Sequence, residues 1–251
     1  MIVSSPLAIA SVDFGHAVWR ADALACAAGA TVATGHPALD AELPGAGWPV
    51  GAISEILQAQ SGQHEWRLLL PALRTITQTG GPQDAPRVVL VGAPYIPFGP
   101  GLAAQGLDAR TLLWVKTDVM AERLWASEQA LRCSDVSALL AWLPQVRAEP
   151  LRRLQIAAQT QRKLLFVMRP DSAQSESTPA VLRLLTSGQT AGSSPGEATL
   201  AAAPIDALRV HILKRRGPPL MHALILPARQ ARLGALLALR QGPGRTGQEA
   251  N

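Results

Sequence analysis

The segment from Glu55 to Glu65 is where this sequence could hold a phosphate, because an apolar run precedes it and a helical pattern follows it. A phosphate-binding loop needs glycines whose backbone N–H groups cradle the phosphates, a lysine that reaches the β and γ phosphates, and a hydroxyl that holds Mg²⁺. Gly62 is present, but Gln63 replaces the lysine and His64 replaces the hydroxyl. Glu65 would repel a triphosphate. We interpret this as a degenerate nucleotide loop kept for its shape, with His64 exposed at the helix start; an altered anion site is the alternative.

Basic residues gather at a predicted turn late in the chain. Lys214, Arg215 and Arg216 precede Gly217-Pro218-Pro219, which favours a turn. Three adjacent cations repel one another unless an anion is near. The turn therefore predicts contact with DNA phosphate or with an acidic protein surface, and a solvated basic turn is the alternative.

A predicted helix extends this basic character. Arg152 and Arg153 lie in the segment Leu151–Arg162, and Arg147 precedes it. Roughly three to five phosphate contacts of this kind would give weak, salt-sensitive binding without readout of base sequence. A plain amphipathic surface helix is the alternative, and the pattern favours it.

The tail from Ala228 to Asn251 is a further candidate interaction segment. Its four arginines stand against Glu249, which gives a net charge of +3. A short amphipathic stretch in it predicts binding to a partner groove by folding on contact, and packing on the core as a last helix is the alternative. The candidate partner-binding residues are Arg229, Arg232, Leu236, Leu239 and Arg240.

The tryptophans divide into core and surface candidates. Trp114 and Trp142 lie in apolar segments and are predicted to be core residues. Trp125 fits a core position and a partner anchor equally well, because exposed Trp is enriched at interface hot spots. Trp48 lies in a Gly- and Pro-rich loop and is predicted to be exposed.

Composition limits the class of protein. The 251 residues include 23 Lys and Arg against 18 Asp and Glu, a net charge of +5, and 48% are hydrophobic. Such a chain folds as one large domain with small attachments and is not disordered. Cys26 and Cys133 lack a CxxC partner and metal-type spacing, which predicts buried free thiols in a reducing compartment. No run reaches the roughly 18 apolar residues of a membrane span, so we expect a cytoplasmic protein.

Strands and helices that could position these side chains alternate along the middle of the chain. Strands are predicted at Ala52–Leu57, Arg87–Gly92, Leu112–Val115, Ser137–Leu143 and Leu164–Arg169. Helices are predicted between them at Glu65–Thr79, Gly101–Gln105, Ala121–Arg132 and Leu151–Arg162. This alternation is typical of βαβ units and predicts an α/β core with a mostly parallel central sheet flanked by helices.

The segments on either side of this core differ from it. A helix predicted at Trp19–Ala33 and a short helical piece at Leu39–Leu43 form an N-terminal helical arm, residues 1–45. The core covers residues 46–227 and ends in a predicted antiparallel hairpin of Leu208–Leu213 with His222–Leu226, after a predicted flexible loop at Thr186–Pro204. Residues 228–251 form the basic C-terminal tail.

Ordered motifs run through most of the chain. They are Trp19-Arg20, Thr34-Gly35-His36-Pro37, Gly47-Trp48-Pro49-Val50-Gly51, Arg67-Leu68-Leu69-Leu70-Pro71, Leu113-Trp114-Val115, Trp125-Ala126-Ser127-Glu128-Gln129, Ala141-Trp142-Leu143-Pro144 and Ile212-Leu213-Lys214-Arg215-Arg216-Gly217. In this order and spacing the chain resembles the RecA recombinase core. It resembles still more closely the ImuA family, the RecA-like proteins of bacterial translesion synthesis. The resemblance implies a RecA-like sheet of the P-loop NTPase type.

The same resemblance indicates which catalytic groups are replaced. In the recombinase a glutamate after the second strand activates water, and Pro94 stands at that position here. The acidic residue that supports Mg²⁺ is replaced by Trp142, and the nucleotide-sensing glutamine falls near Arg169. Proline offers no general base and an indole holds no metal-bound water. The resemblance therefore implies a pseudo-ATPase that uses no cofactor and no metal.

The function expected from this resemblance is that of a non-catalytic adaptor in the SOS mutagenesis complex. Its implied partners are ImuB, an error-prone C-family DNA polymerase and RecA, with weak DNA binding possible, no membrane contact, and a place at the nucleoid after DNA damage. A SulA-like SOS inhibitor of cell division, from a related family that binds the division tubulin homologue, is the alternative. An active DNA-dependent ATPase is a further alternative, against which Gln63, Pro94 and Trp142 argue.

Overall fold

A computed structural model describes residues 29–79, 85–188 and 207–227 of the chain. Two short strands, β1 (Thr31–Val32) and β2 (Trp48–Pro49), pair with each other in antiparallel orientation. The strands of the central sheet are β3 (Ile53–Gln58), β4 (Arg87–Val91), β5 (Leu112–Val115), β6 (Val136–Trp142), β7 (Leu164–Pro170), β8 (Leu182–Gly188), β9 (Leu208–Lys214) and β10 (Leu224–Leu226). Their order across the sheet is β10-β9-β8-β3-β7-β6-β4-β5.

This sheet is mostly parallel. Every pairing among β3 to β8 is parallel, whereas β9 is antiparallel to both of its neighbours, β8 and β10. The predicted mixed α/β fold with a mostly parallel sheet is confirmed, and the described residues include the predicted C-terminal hairpin. β3 lies inside the sheet with all of its residues buried, as expected for a parallel strand covered on both faces.

Helices cover both faces of the sheet. The α-helices are α1 (Pro37–Asp40), α2 (Glu65–Thr77), α3 (Gly99–Ala104), α4 (Met120–Arg132) and α5 (Ala148–Gln161), and 3-10 turns lie at Ala109–Thr111 and Asp171–Ser175. α2 buries Leu68, Leu69 and Leu73 in a cluster on one face, because these residues recur at helical spacing. α4 and α5 bury Leu131 and Leu154 in a second cluster on the other face.

A close contact between α2 and the segment before α1 explains part of the sequence pattern. Pro71, inside α2, has no N–H to donate within the helix. Gly35, with φ of +80°, lies so close that a β-carbon on it would come within 2.4 Å of Pro71 Cβ. The ring of the adjacent His36 reaches the same turn of α2, where its Nε2 lies 3.2 Å from the carbonyl oxygen of Leu68. Thr34-Gly35-His36 is thus a packing motif that fits the proline of α2.

The structure corrects four expectations. The predicted helix Trp19–Ala33 is wrong at its end, because Thr31–Val32 forms a strand, and its residues before 29 lie outside the described residues. β8 extends to Gly188, so the predicted loop does not start at Thr186; residues 189–204 are not described. Trp48 is fully buried, with its ring edge-on to Phe166 at 5.1 Å. Cys133 is exposed, since it follows the end of α4; Cys26 is not described.

The boundary predicted at residue 45 does not coincide with a gap in packing. Leu39 and Leu43 belong to the same buried cluster as α2, and Thr31 pairs with Pro49 across the boundary. Within the described ranges, no helix has both the length and the apolar character needed to cross a membrane.

Candidate functional site

The candidate site lies where the parallel strands end. The carboxyl ends of β3, β4, β5 and β6 share one edge of the sheet, so the loops that follow these strands lie together, as at ligand sites of open α/β sheets. The loop after β3 carries Gly62, with φ of +93°, and leads into the N-terminus of α2. The strand, loop and helix predicted for a phosphate-binding loop are therefore present in the structure.

The carboxylate of Glu65 occupies this loop. Its Oε1 accepts hydrogen bonds from the backbone N–H of Gly62 at 2.7 Å and from Gln58 Nε2 at 2.5 Å, and its Oε2 accepts from the N–H of His64 at 3.1 Å. Glu65 is 1% exposed. Backbone N–H groups at a helix N-terminus favour a negative charge, and here the chain supplies that charge itself. From the sequence, Glu65 was expected to repel a phosphate. The structure shows in addition that its carboxylate binds the N–H groups of the loop itself.

Trp142 completes the set of donors around Glu65. Its indole Nε1 donates to Glu65 Oε1 at 2.9 Å, from the end of β6, and the residue is 4% exposed. Trp142, which was predicted to replace a metal-supporting carboxylate, therefore binds the carboxylate of Glu65. This confirms the predicted core position of Trp142 and adds a contact that the sequence did not indicate, because the two residues are far apart along the chain.

The other two residues of the loop have different surroundings. Gln63 is exposed, and its Nε2 donates to Gln60 Oε1 at 2.8 Å. His64 is buried, which corrects the expectation that it is exposed, and its Nδ1 has no hydrogen-bond partner among the described residues. Burial lowers the pKa of His64 below 6.5, the nearby charge of Arg67 lowers it further, and the Glu65 carboxylate acts in the opposite direction. Neither side chain supplies a cation to the loop.

A cavity of about 410 Å³ adjoins the loop at the ends of β4, β5 and β6. Pro94, predicted to replace the recombinase's catalytic glutamate, lines it together with Ser61 and Trp142. Next to it, the ring of Tyr95 covers Gly62 so closely that a β-carbon on this glycine would come within 2.5 Å of the ring. The loop is therefore closed from inside by Glu65 and from outside by Tyr95.

A second cluster of buried charge lies on β3 itself and was not predicted. Glu55, fully buried, accepts from Arg169 Nη1 at 3.1 Å and from Arg183 Nε at 2.6 Å. Arg169 also donates to Glu176 Oε2 at 2.5 Å. Arg169, predicted near the nucleotide-sensing position, is thus engaged in an ion-pair network. The sequence signal that was missed is an acidic residue inside an apolar strand, with an arginine in each of two other apolar strands.

The predicted basic residues are mostly paired. Arg215 donates from Nη1 to Glu42 Oε2 at 2.9 Å and from Nε to the Pro218 carbonyl at 2.9 Å, and Lys214 Nζ donates to the Thr178 carbonyl at 3.2 Å. Arg216 is exposed and lines a groove of about 300 Å³ with Arg162. The alternative of a fully solvated basic turn is therefore wrong for Arg215, because its side chain is paired with Glu42 after α1.

The arginines of α5 form surface ion pairs. Arg152 Nη1 lies 3.2 Å from Glu149 Oε2, and Arg153 Nη2 lies 2.7 Å from Glu128 Oε1 on α4. Trp125, also on α4, is 66% exposed. Trp114 of β5 is half-buried against the first cluster. The tail residues Arg229, Arg232, Leu236, Leu239 and Arg240 lie outside the described residues.

The fold and the site together define a class of protein: a mixed α/β protein with a mostly parallel central sheet, in which the Glu65 carboxylate occupies the loop between β3 and α2. The comparisons with known proteins point in one direction, although no protein-family model matches the chain. The chain is similar to the cell division inhibitor SulA of Photorhabdus laumondii subsp. laumondii, with 32% identity over 108 residues that cover 34% of this chain and 61% of the relative. It is also similar to SulA of Edwardsiella piscicida, with 31% identity over 107 residues that cover 43% of this chain and 61% of the relative.

A solved structure gives the same name. The crystal structure of SulA from Pseudomonas aeruginosa is similar at 27% sequence identity, covering 47% of this chain and 97% of that chain with a TM-score of 0.38. The chain spans about 61% of the length of the two curated relatives. The two curated relatives support the SulA-like part of the resemblance and do not single out the ImuA family.

Proposed function

We propose that this chain is a non-catalytic protein of the bacterial SOS response that acts by binding other proteins, on a RecA-like scaffold that has lost nucleotide chemistry. The observation that carries the proposal is the position of Glu65. A phosphate in the loop would need the N–H groups of Gly62 and His64, which already donate to this carboxylate. It would also meet a buried negative charge without a lysine to offset it.

An assay of nucleotide turnover tests the non-catalytic part. The purified chain, with Mg²⁺ and with or without single-stranded DNA, is expected to release phosphate from ATP at the rate of the buffer alone. Glu65→Ala, which frees the donors of the loop, is expected to leave turnover at that background, because Gln63, Pro94 and Trp142 supply none of the groups that phosphoryl transfer needs. Turnover above background that is lost on changing Gly62 would contradict the proposal.

Inhibition of cell division is the function that the comparisons favour. Both curated relatives are named cell division inhibitor SulA, and identity to them is above 30% in the matched stretch. We therefore propose the division tubulin homologue as the first partner to test. Expression of the chain is expected to make cells filament, and the purified chain is expected to bind the purified tubulin homologue of the same bacterium. Normal cell length together with no binding would argue against this function.

The second candidate function is that of an adaptor protein in translesion synthesis, and a specific observation favours it. The ImuA-type motifs run from Trp19 to Gly217, a span much longer than the 108 residues matched to SulA. Binding of purified ImuB, the error-prone polymerase or RecA filament, without filamentation of cells, would support this candidate. Deletion of residues 228–251 tests the tail: loss of ImuB binding is expected if the tail is the docking segment, and unchanged binding excludes it.

A further inference from the structure

Large apolar side chains are exposed on two neighbouring loops of the candidate site. Tyr95, Ile96 and Phe98, after β4, are 61%, 74% and 72% exposed, and Val119, after β5, is 53% exposed. Single apolar residues on a surface need no explanation, but a group of them marks an interaction site. β4 and β5 are paired strands, so their loops lie side by side.

These loops border the cavity of about 410 Å³ described above. Its lining is mixed. Pro94, Ile96, Trp114 and Trp142 contribute apolar surface, and Ser61 and Thr117 contribute polar groups. A cavity of this size has room for one large aliphatic or aromatic side chain, and the exposed side chain of Ile96 forms part of its lining. Such anchors in pockets dominate the energy of many protein interfaces. The cavity therefore has the form of an anchor pocket.

The charged groups of the cavity leave a positive charge unmatched. Lys116, Asp118 and Arg123 line it. Asp118 Oδ1 lies 3.5 Å from Arg123 Nη2, whereas Lys116 is exposed and has no ion pair or hydrogen bond with any residue that the structure describes. A negative group on a ligand would pair with Lys116.

The wall beside Lys116 is fixed in place by Arg123. Its Nε donates to the Thr117 carbonyl at 2.9 Å and its Nη1 to the Trp142 carbonyl at 3.0 Å, and the side chain is 14% exposed. These bonds join the loop after β5 to the end of β6. A wall that is already ordered does not have to be ordered on binding, which favours affinity.

We infer that this cavity is a docking site for a segment of a partner protein that inserts one large apolar side chain and carries a carboxylate next to it. The apolar side chain enters between Ile96 and Trp142, and the carboxylate pairs with Lys116. The segment then covers Tyr95 and Phe98. This inference rests on the proposed function, in which the chain acts by binding proteins, and it assigns that binding to one surface.

Binding of the full chain to purified partners tests the site. The probes are the division tubulin homologue and ImuB of the same bacterium, measured by biolayer interferometry. Ile96→Asp puts a charge at the mouth of the pocket and is expected to weaken binding at least about tenfold. Lys116→Glu is expected to weaken it by a similar factor, with a larger loss at low ionic strength than at high.

Two control variants carry comparable changes elsewhere on the surface: one replaces an apolar residue with Asp and the other replaces a basic residue with Glu. Met221→Asp alters a residue that is 87% exposed between β9 and β10, and Arg110→Glu reverses an exposed charge just before β5. Both are expected to bind within about twofold of the unchanged chain, since neither lies in the anchor pocket. Thermal unfolding of all four variants checks that each is folded.

The outcomes separate the inference from the function on which it rests. Failure of the unchanged chain to bind either partner contradicts the proposed function and removes the basis of the inference. Normal binding that Ile96→Asp and Lys116→Glu leave intact overturns the inference alone. A chain that self-associates, and becomes monomeric with Ile96→Asp, would show by analytical ultracentrifugation that a second copy occupies the site, which also overturns it.

Discussion

Two buried glutamates, Glu55 on β3 and Glu65 at the start of α2, are compensated in opposite ways. Glu55 is bound by two guanidinium groups, at 3.1 Å from Arg169 and 2.6 Å from Arg183. Glu65 is bound by neutral donors only: two backbone N–H groups, an amide and the Trp142 indole. Glu55 thus belongs to an ion-pair network, whereas the Glu65 carboxylate accepts hydrogen bonds from uncharged N–H groups.

The two clusters stabilise different parts of the fold. Arg183 also donates to carbonyls of residues 173, 174 and 176, so the Glu55 network holds the loop between β7 and β8 against the sheet. No α-helix joins these two strands. The Glu65 cluster instead closes a single loop and ties it to the end of β6. Loss of Glu55 leaves two buried cations, whereas loss of Glu65 leaves neutral donors, which are less costly to leave unpaired.

Glu55→Gln is expected to have the largest effect on stability. Removing the charge leaves Arg169 and Arg183 without their shared carboxylate, and breaking a buried ion pair in this way costs about 3–5 kcal/mol. Urea unfolding followed by circular dichroism measures the loss. Glu176→Gln is the control, because Glu176 pairs with the same Arg169 but is half exposed, and we expect it to cost less than about 1 kcal/mol. Equal losses for the two variants would show that the Glu55 network is not what holds the loop.

Glu65→Ala is expected to cost less, about 1–3 kcal/mol, because it leaves buried donors unpaired without exposing a charge. Glu65→Gln keeps one acceptor oxygen for Gly62 and Trp142 and is expected to lose about half as much. The same urea titration measures both. Gln63→Ala, in the same loop but exposed, serves as the control and should change stability by less than about 0.5 kcal/mol. A loss for Glu65→Ala larger than that of Glu55→Gln would reverse the comparison between the clusters.

Acidification is expected to lower the free energy of unfolding through protonation of His64, which adjoins Glu65. Its pKa in the folded chain lies below the ordinary value of 6.5, chiefly because of burial, so the unfolded chain binds the proton more readily. Stability is therefore complete above about pH 6.5 and falls as pH drops below it, by at most about 1.4 kcal/mol for each unit of pKa difference. His36, whose pKa burial also lowers, acts in the same direction.

Unfolding free energies at pH 7.5, 6.5 and 5.5 test this expectation. The unchanged chain should lose stability over this range, and His64→Gln should lose less, while keeping the part due to His36. An identical pH dependence for the two proteins would mean that protonation of His64 does not act on the loop.

The sequence contained most of the fold and little of the site. Short apolar runs predicted β3, β4, β5, β6 and β7, but β8, which is parallel to β3, was not predicted as a strand. The same runs did not predict that Glu65 folds back, because one of its donors, Trp142, comes from a strand far along the chain. Trp48 was expected to be exposed from its Gly and Pro neighbours, yet its ring contacts Phe166 in the middle of the sheet. Such contacts depend on which strands become neighbours, and local patterns do not encode that order.

The smallest effect is expected on the surface, where Arg152 pairs with Glu149 on α5. Both side chains are more than 60% exposed, so water screens the pair and each side chain gives up rotamer freedom to form it. Arg152→Ala should therefore change the unfolding free energy by less than about 0.5 kcal/mol in the same urea titration. Arg153→Ala is the matched test of partial burial, because its partner Glu128 is only 13% exposed, and we expect a somewhat larger loss. If Arg152→Ala cost as much as Glu55→Gln, burial would not be what separates these ion pairs, and the contrast between the two glutamate clusters would lose its physical basis.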